Sequence, residues 1–342
     1  VSAIVLRAAG GRVSLRLHRR PILVGAALAL LTFATVVLAL TTGDFPLSVG
    51  QVLAVLVGRG DPGDAFIVET LRLPRVLTAV LVGAAFGVAG AIFQSITRNP
   101  LGSPDVIGFT AGSASGALLV ILTTSGGAVA IALGSVAGGV VTAAVVYLLA
   151  FRGGVQGYRL VLVGIGIGYA LYSLNDYLIT RATREDALEA SHWLVGSLNG
   201  RGWEHVWPVA AALAVLLPLA LLLSRSMQLL ELGDDAASAL GVGVQRARLA
   251  LAALAVALTA VGTASTGPVL FVALAAPQIA RRLTRAAVPG LGTSALTGAT
   301  LMAAGDFAAQ RLLDQDLPVG VVTGLVGGVF LAWLLTQEWR TR

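Results

Sequence analysis

The chain contains no cysteine and no lysine, and only 12% of its 342 residues are charged. Without cysteine there is neither a disulfide framework nor a thiolate metal site. Without lysine the phosphate-binding loop G-x-x-x-x-G-K-[ST] cannot be written, so the chain does not bind ATP in that way itself. Histidine is scarce as well: His18, His192 and His205 all stand outside the apolar runs. No His-Glu-x-x-His pair, paired catalytic carboxylates or Ser-His-Asp set can be assembled, which speaks against a membrane-bound enzyme.

What the chain has in abundance is apolar surface. Hydrophobic residues make up 56% of it, and the mean hydropathy is +0.88. An ordinary soluble domain carries about 25% charged residues, so this composition belongs to an all-α, polytopic membrane protein embedded in a lipid bilayer. The formal net charge of +6 rests on arginine alone. Those arginines sit at the ends of apolar runs, where they orient a membrane chain and do not form a nucleic-acid surface.

Crossing about 30 Å of hydrocarbon takes roughly 20 apolar residues per helix, because each backbone group must be satisfied within its own helix. Ten spans are expected: Ile22–Leu40, Val76–Ile96, Val106–Thr123, Ala128–Phe151, Leu160–Ile179, Val206–Leu223, Leu249–Thr266, Val269–Ile279, Thr293–Leu312 and Val319–Leu335. The eighth is too short to cross alone, which calls for tilt, burial in protein or unwound backbone before it. With both termini cytoplasmic, 16 of the 23 arginines fall on the cytoplasmic side, as the positive-inside rule requires. The chain then divides into a cytoplasmic segment (1–21), a membrane domain (22–335) and a cytoplasmic tail (336–342). No small-residue cleavage site follows Leu40, so the first span is read as uncleaved.

Small residues punctuate the spans. Gly83, Gly87 and Gly90, then Gly134 and Gly138, then Gly164 and Gly168, allow helices to approach closely. Gly164-x-Gly166-x-Gly168 lies inside a span, with no strand before it, and is not a dinucleotide fingerprint. Asp176 and Asp306 are the carboxylates within spans. Asp306 is expected to line a pathway or to take a structural partner such as Arg311, since a mid-membrane charge costs about 3 kcal/mol on insertion scales. The longest polar-acidic run on the arginine-rich side, Leu230 to Val242, is the natural grip for a soluble partner.

Three blocks carry a family resemblance: RLPRVLTAVLVGAAFGVAGAIFQSITRNPLGSPDVIGFTAG (Arg72 to Gly112), LGDDAASALGV (Leu232 to Val242), and the stretch from GPVLFVALAAPQIARRLT to DLPVGVVTGLVGGVFLAWLL (Gly267 to Leu335). They resemble the FecCD family, the iron-siderophore and vitamin B12 permeases of ABC importers. GAIFQS, RNPLGSPDV, GSLNG and the GDD preceding ALGV are most similar to its ferric enterobactin branch.

The resemblance implies the type II ABC importer fold and a permease that imports a ferric siderophore of catecholate type across the cytoplasmic membrane. Vitamin B12 or haem is the alternative cargo, and an ion-coupled secondary transporter the reading from another class. It also implies partners: a second permease subunit, favoured as a paralogue, two ATPase subunits that hold the ATP and Mg2+, and an extracytoplasmic siderophore-binding protein. This chain needs no cofactor of its own.

Residue by residue, the family's ATPase-coupling segment falls on Leu232, Gly233, Asp234, Asp235, Ala236, Ala237, Leu240 and Gly241, within 227–244. Locally this fits: Gly233 breaks the chain, Asp234 is placed to cap a helix, Asp235 suits its dipole and Gly241 can end it. Arg72 and Arg75 occupy the positions that meet acidic residues of the binding protein. Asn99 and Leu101, freed by Pro100 and Pro104, stand at the cytoplasmic gate, with Gln156 and Gly157 in the second gate loop. Three departures stand out. Gln278 replaces the usual histidine, Asp316 replaces glutamate, and the arginine that follows the ninth-span aspartate is displaced to Arg311.

Overall fold

A computed structural model describes residues 3–8, 13–105, 107–124, 127–151, 157–311 and 317–340. An antiparallel hairpin of Ala3–Ala8 and Val13–His18 precedes the first helix. Everything after it is helical: α1 Arg19–Thr41, α2 Val49–Leu56, α3 Pro62–Ala65, α4 Leu73–Thr97, α5 Phe109–Thr123, α6 Ala128–Ala150, α7 Gly157–Arg181 and α8 Arg184–Leu194. Then come α9 Trp203–Leu222, α10 Ser224–Glu231, α11 Asp234–Ala239, α12 Val244–Thr266, α13 Val272–Thr284, α14 Leu291–Arg311 and α15 Val319–Arg340.

A helix stands at each expected span. Among the described residues six are long and apolar enough to cross a membrane by themselves: α1, the continuous run Pro62–Thr97, α6, α7, α9 and α12. The third span starts later than expected, at Phe109, because Gly102, Pro104 and Gly108 break the chain first; Gly108 has φ +77°. Val106 lies outside the described residues. The eighth span is α13, of 13 residues, entered through irregular backbone at 267–271 and a left-handed Phe271. Unwinding and burial together therefore account for its shortness, since α13 is largely buried from Val272 to Ala280.

α4 is the axis of the molecule. It is enclosed by α14, α12, α13 and α9, and nearly every residue from Val82 to Thr97 is buried. Side-chain size decides the approach. Gly83 lies against the carbonyl of Gly298, Gly87 against Ser294 and Gly90 against Ala273, so a methyl at any of the three would drive into backbone. Gly134 and Gly138 do the same for α6 on Gly112 and Gly116 of α5, while Gly164 and Gly168 seat α7 on Ile107 and Gly108. Five of the seven glycines mark helix crossings, and Gly164 and Gly168 seat α7 on the turn before α5; close approach at each gains dispersion contacts in an environment that offers no hydrophobic drive.

Before α4 the chain passes through one π-helical stretch, Phe66–Arg72, where Leu73 N–H reaches back to Val68 O. Pro74 follows and has no N–H with which to continue a regular ladder.

Candidate coupling site

The two ends of α4 each carry an arginine–aspartate cluster. At its N-terminal end Arg75 grips Asp306 of α14 through both carboxylate oxygens, Nη2 to Oδ1 at 2.8 Å and Nε to Oδ2 at 3.0 Å. Gln310 donates to Asp306 Oδ2 at 2.8 Å as well. The pair is enclosed, with side chains 19% and 5% exposed. Arg75 was expected to face a binding protein, and Asp306 to line a pathway or to take a structural partner such as Arg311. The fork of Arg75 is spent on Asp306 instead, because α4 and α14 cross at Gly83 and Gly298 and bring the two residues level.

Arg72 donates to the carbonyls of Leu40 and Phe45 at 2.8 and 2.7 Å, bracing the segment after α1. Arg311 stands next to it across Gly43, weakly paired to Asp44 at 3.8 Å. Arg72 and Arg311 thus form the part-exposed cationic patch at this end, with Arg75 held behind them. The displaced Arg311 was the member that sequence spacing left out.

At the other end, α10 and α11 form a short helical pair joined at Gly233, whose φ of +110° only glycine adopts without strain. Asp234 does not cap α11 as expected. Gly233 takes the N-cap position, and the Asp234 carboxylate turns inward to accept from Arg98 at 3.1 Å and from Arg248 of α12 at 2.8 Å. Arg98 is the left-handed residue (φ +50°) that ends α4 and opens the Asn99–Pro100–Leu101 turn. One acidic residue therefore fastens α11 both to the turn after α4 and to α12.

Neighbouring contacts reinforce the fastening. Ser95 of α4 donates to Glu231 at the end of α10 at 2.5 Å. Burial pushes the Glu231 carboxyl above the usual range, against the opposing pull of Ser95 and Arg281. Beyond Asp234, Asp235 stands in the first turn of α11, Ala236 and Ala237 keep it slim, and Gly241 follows with φ +83°. Leu232 and Leu240 are large apolar residues left exposed, at 66% and 61%. An open groove of about 630 Å³ is lined by Leu232 to Ala236 together with Arg98, Arg248, Thr97, Gly157 and Tyr158.

The gate residues read from the sequence converge on the same end. Asn99 Oδ1 accepts from Leu101 N–H at 2.9 Å, so its side chain shapes the turn and does not project freely. Gly157 rests on the backbone of Thr97, where an added Cβ would lie 2.8 Å from Thr97 Cα. Gln278 donates to Gln94 Oε1 at 2.7 Å and to Pro100 O at 3.0 Å, and Gln94 donates to Leu274 O. A buried amide pair thus ties the turn to α13 at the position where the family writes histidine. Gln156 and Asp316 lie outside the described residues.

Sequence reading missed Arg98 and Arg248 as site residues because both also serve the positive-inside count. Glu231 and Ser95 gave no signal, being 136 positions apart.

A model described as the FecCD transport family matches residues 20–337. Over 304 residues the chain is 48% identical to the ferric enterobactin transport system permease protein FepG of Escherichia coli (strain K12), covering 89% of this chain and 92% of that protein. It is 37% identical over 332 residues to the achromobactin transport system permease protein CbrC of Dickeya dadantii (strain 3937), covering 96% and 92%. Among solved structures, a metal-chelate type ABC transporter in an inward-facing conformation matches with a TM-score of 0.79 and 31% identity, over 93% of this chain and 99% of that one. With the family pattern running from α1 into α15, on a multi-pass helical bundle of the metal-chelate transporter fold, this chain belongs to the FecCD transport family.

Proposed function

We propose that the chain is the membrane-spanning permease subunit of an ATP-driven importer that carries a ferric siderophore, of the catecholate enterobactin type, across the cytoplasmic membrane. Its similarity to FepG supports that cargo class, and the α10–α11 pair supports the mode of drive. ATP and Mg2+ act on two separate ATPase subunits, and a second permease subunit, a paralogue, completes the passage. Both termini are cytoplasmic in this reading, which puts α11 inside and the Arg72–Arg311 patch outside.

The single observation that carries the mechanism is Asp234 bridging Arg98 and Arg248. A partner that seats the exposed Leu232 and Leu240 and moves α11 pulls on the gate turn and on α12 together. The Arg98–Asp234 pair, with both side chains nearly half exposed, costs little to open because water screens both states, while the enclosed Arg248 keeps its hold on Asp234. Opening of the Asn99–Leu101 turn away from Gly157 then lets cargo leave. Outside, Arg72 and Arg311 present two part-exposed guanidiniums to acidic residues of an extracytoplasmic siderophore-binding protein.

The test is reconstitution in liposomes with the ATPase, the second permease and the binding protein. Uptake of radiolabelled ferric enterobactin should require ATP. Accumulation without the ATPase would overturn the drive, and ATP-driven uptake of vitamin B12 or haem in place of the iron chelate would overturn the cargo.

A further inference from the structure

The packing of α15 leaves a gap. α15 meets α14 where Gly305 faces Thr323 and Val319, and it meets α13 where Gly327 lies against the Phe271 side chain. Around those contacts the three helices leave a partly open apolar cleft of about 250 Å³. Its walls include Ala275 and Ile279 of α13, Leu301 and Ala304 of α14, and Val326 and Phe330 of α15. Thr323 brings the only polar side chain among the described lining residues, and its hydroxyl donates to Gly320 O at 3.2 Å.

Such a lining chooses its occupant. Water needs two or more polar partners, and an apolar cavity of about 150 Å³ already stays dry and takes up a benzene ring. A hydrated iron chelate would leave its polar groups unmatched against these walls. In a bilayer the apolar solute at hand is an acyl chain.

One end of the cleft carries aromatic rings and then cations. Phe330 packs on Trp333, with ring centroids 5.8 Å apart. The Arg282 guanidinium lies 4.6 Å from the centre of the Trp333 ring. Arg20 of α1 donates through Nε to Leu283 O at 2.8 Å, which brings a second guanidinium one residue along α13 from Arg282. Arg19 and Arg285 beside them are exposed. Neither α1 nor α13 contains an acidic residue; on α15 the only one, Glu338, comes five positions after Trp333. Orienting a membrane chain calls for cations at span ends but for no cleft beside them. Here the two stand together, and a basic site between spanning helices next to a place for a hydrocarbon chain suits an anionic lipid headgroup.

We propose that an anionic phospholipid occupies this site, with one acyl chain in the cleft between α13, α14 and α15 and its phosphate against Arg282 and Arg20. In the topology given above it belongs to the cytoplasmic leaflet. It fills the gap behind α15 and ties that helix to α1 and α13 through the headgroup.

The test uses a phosphatidylglycerol and a phosphatidylcholine, each with a diazirine midway along one acyl chain. They are photolysed in vesicles holding the assembled permease, and the labelled residues are located by peptide mass spectrometry. Phosphatidylglycerol should label the cleft residues at least about five-fold more than phosphatidylcholine, the share of one guanidinium near the surface. Excess unlabelled phosphatidylglycerol should compete. Arg282→Gln combined with Arg20→Gln should remove the preference, and Ala304→Phe, which fills the cleft, should remove the labelling by both lipids. Arg20→Gln alone, a change at an exposed side chain, should lower the preference and keeps the test usable if loss of Arg282 from the Trp333 ring impairs folding. Equal labelling by the two lipids, or a preference that the arginine variants leave intact, would overturn the headgroup site. A cleft that neither lipid labels, covered instead by the second permease subunit, would overturn the lipid altogether. Labelling is read without ATP or cargo, so its failure and failure of the importer reading are distinguishable.

Discussion

The arginine–aspartate clusters at the two ends of α4 use the same chemical groups to opposite effect. Arg75–Asp306 is enclosed, two-pronged and backed by Gln310. Asp234 is 42% exposed and shares one carboxylate between Arg98, equally open, and the enclosed Arg248. An enclosed pair has shed its water and cannot exchange partners without leaving a bare charge in protein. The open Arg98–Asp234 contact, half in water, can part and re-form at small cost while Arg248 holds the carboxylate. One end of the helix is a weld and the other a joint.

The sharpest way to break this contrast is Asp306→Ala, which strands Arg75. It should cost about 3–5 kcal/mol, read as a fall in thermal midpoint of the detergent-solubilised protein and in yield from membranes. Replacing both partners by apolar residues, Arg75→Met with Asp306→Leu, should recover most of that loss, and failure to do so would mean that the pair does more than hold α4 to α14.

Next in size is Arg72→Glu with Arg311→Glu. Binding-protein affinity should fall by at least about ten-fold, about 1.4 kcal/mol, with the midpoint also lowered because Arg72 loses its bonds to Leu40 and Phe45; unaltered affinity would leave the patch without its partner.

Asp234→Ala, which takes a carboxylate from the enclosed Arg248 as well as from the exposed Arg98, should lower stability by less than Asp306→Ala and raise the ATP consumed per iron imported. Arg98→Ala should lower stability by no more than about 1 kcal/mol with a like loss of coupling, and the double variant should be no worse than Asp234→Ala, which already removes the Arg98 link. Additive losses would show that the two residues act separately.

The smallest effect concerns Glu231. Its folded pKa is raised by burial, so the folded state resists ionisation; stability is greatest with the group protonated and declines as pH rises through and above its ordinary value of 4.5. Glu231→Gln, which keeps an acceptor for Ser95, should flatten that decline between pH 5 and 8 in thermal-melt profiles and change nothing at pH 4.

The bundle itself was legible because hydrocarbon imposes a length and a composition that a chain cannot disguise. So were the glycine crossings, as residue types, although Gly83 does not announce Gly298 as its neighbour. The short helices around Gly233 were legible from the local sequence, whereas the inward turn of Asp234 was not, because the helix start could equally have taken a side-chain cap. For Asp306 the sequence left open a pathway role or a structural partner such as Arg311, five residues along its own helix; its partner in the fold, Arg75, is 231 positions away, and only the crossing of α4 on α14 selects it. The late start of α5 was hidden because Ile107 and Phe109 read as apolar span while Gly102, Pro104 and Gly108 govern the backbone. What escaped was decided by tertiary meetings, and what was read was decided by local rules.

The glycine seams that clamp α4 to α13 and α14 leave these three no freedom to slide, since each seam is backbone on backbone. They must swing as one piece. α4 is 25 residues long, about 37 Å at the usual rise, so a tilt of about 5° about its Arg75 end would carry Arg98 sideways by about 3 Å. That is the length of one hydrogen bond, so a barely visible inclination at the Arg75 anchorage is enough to part Arg98 from Asp234 at the far end while Arg248 keeps its hold.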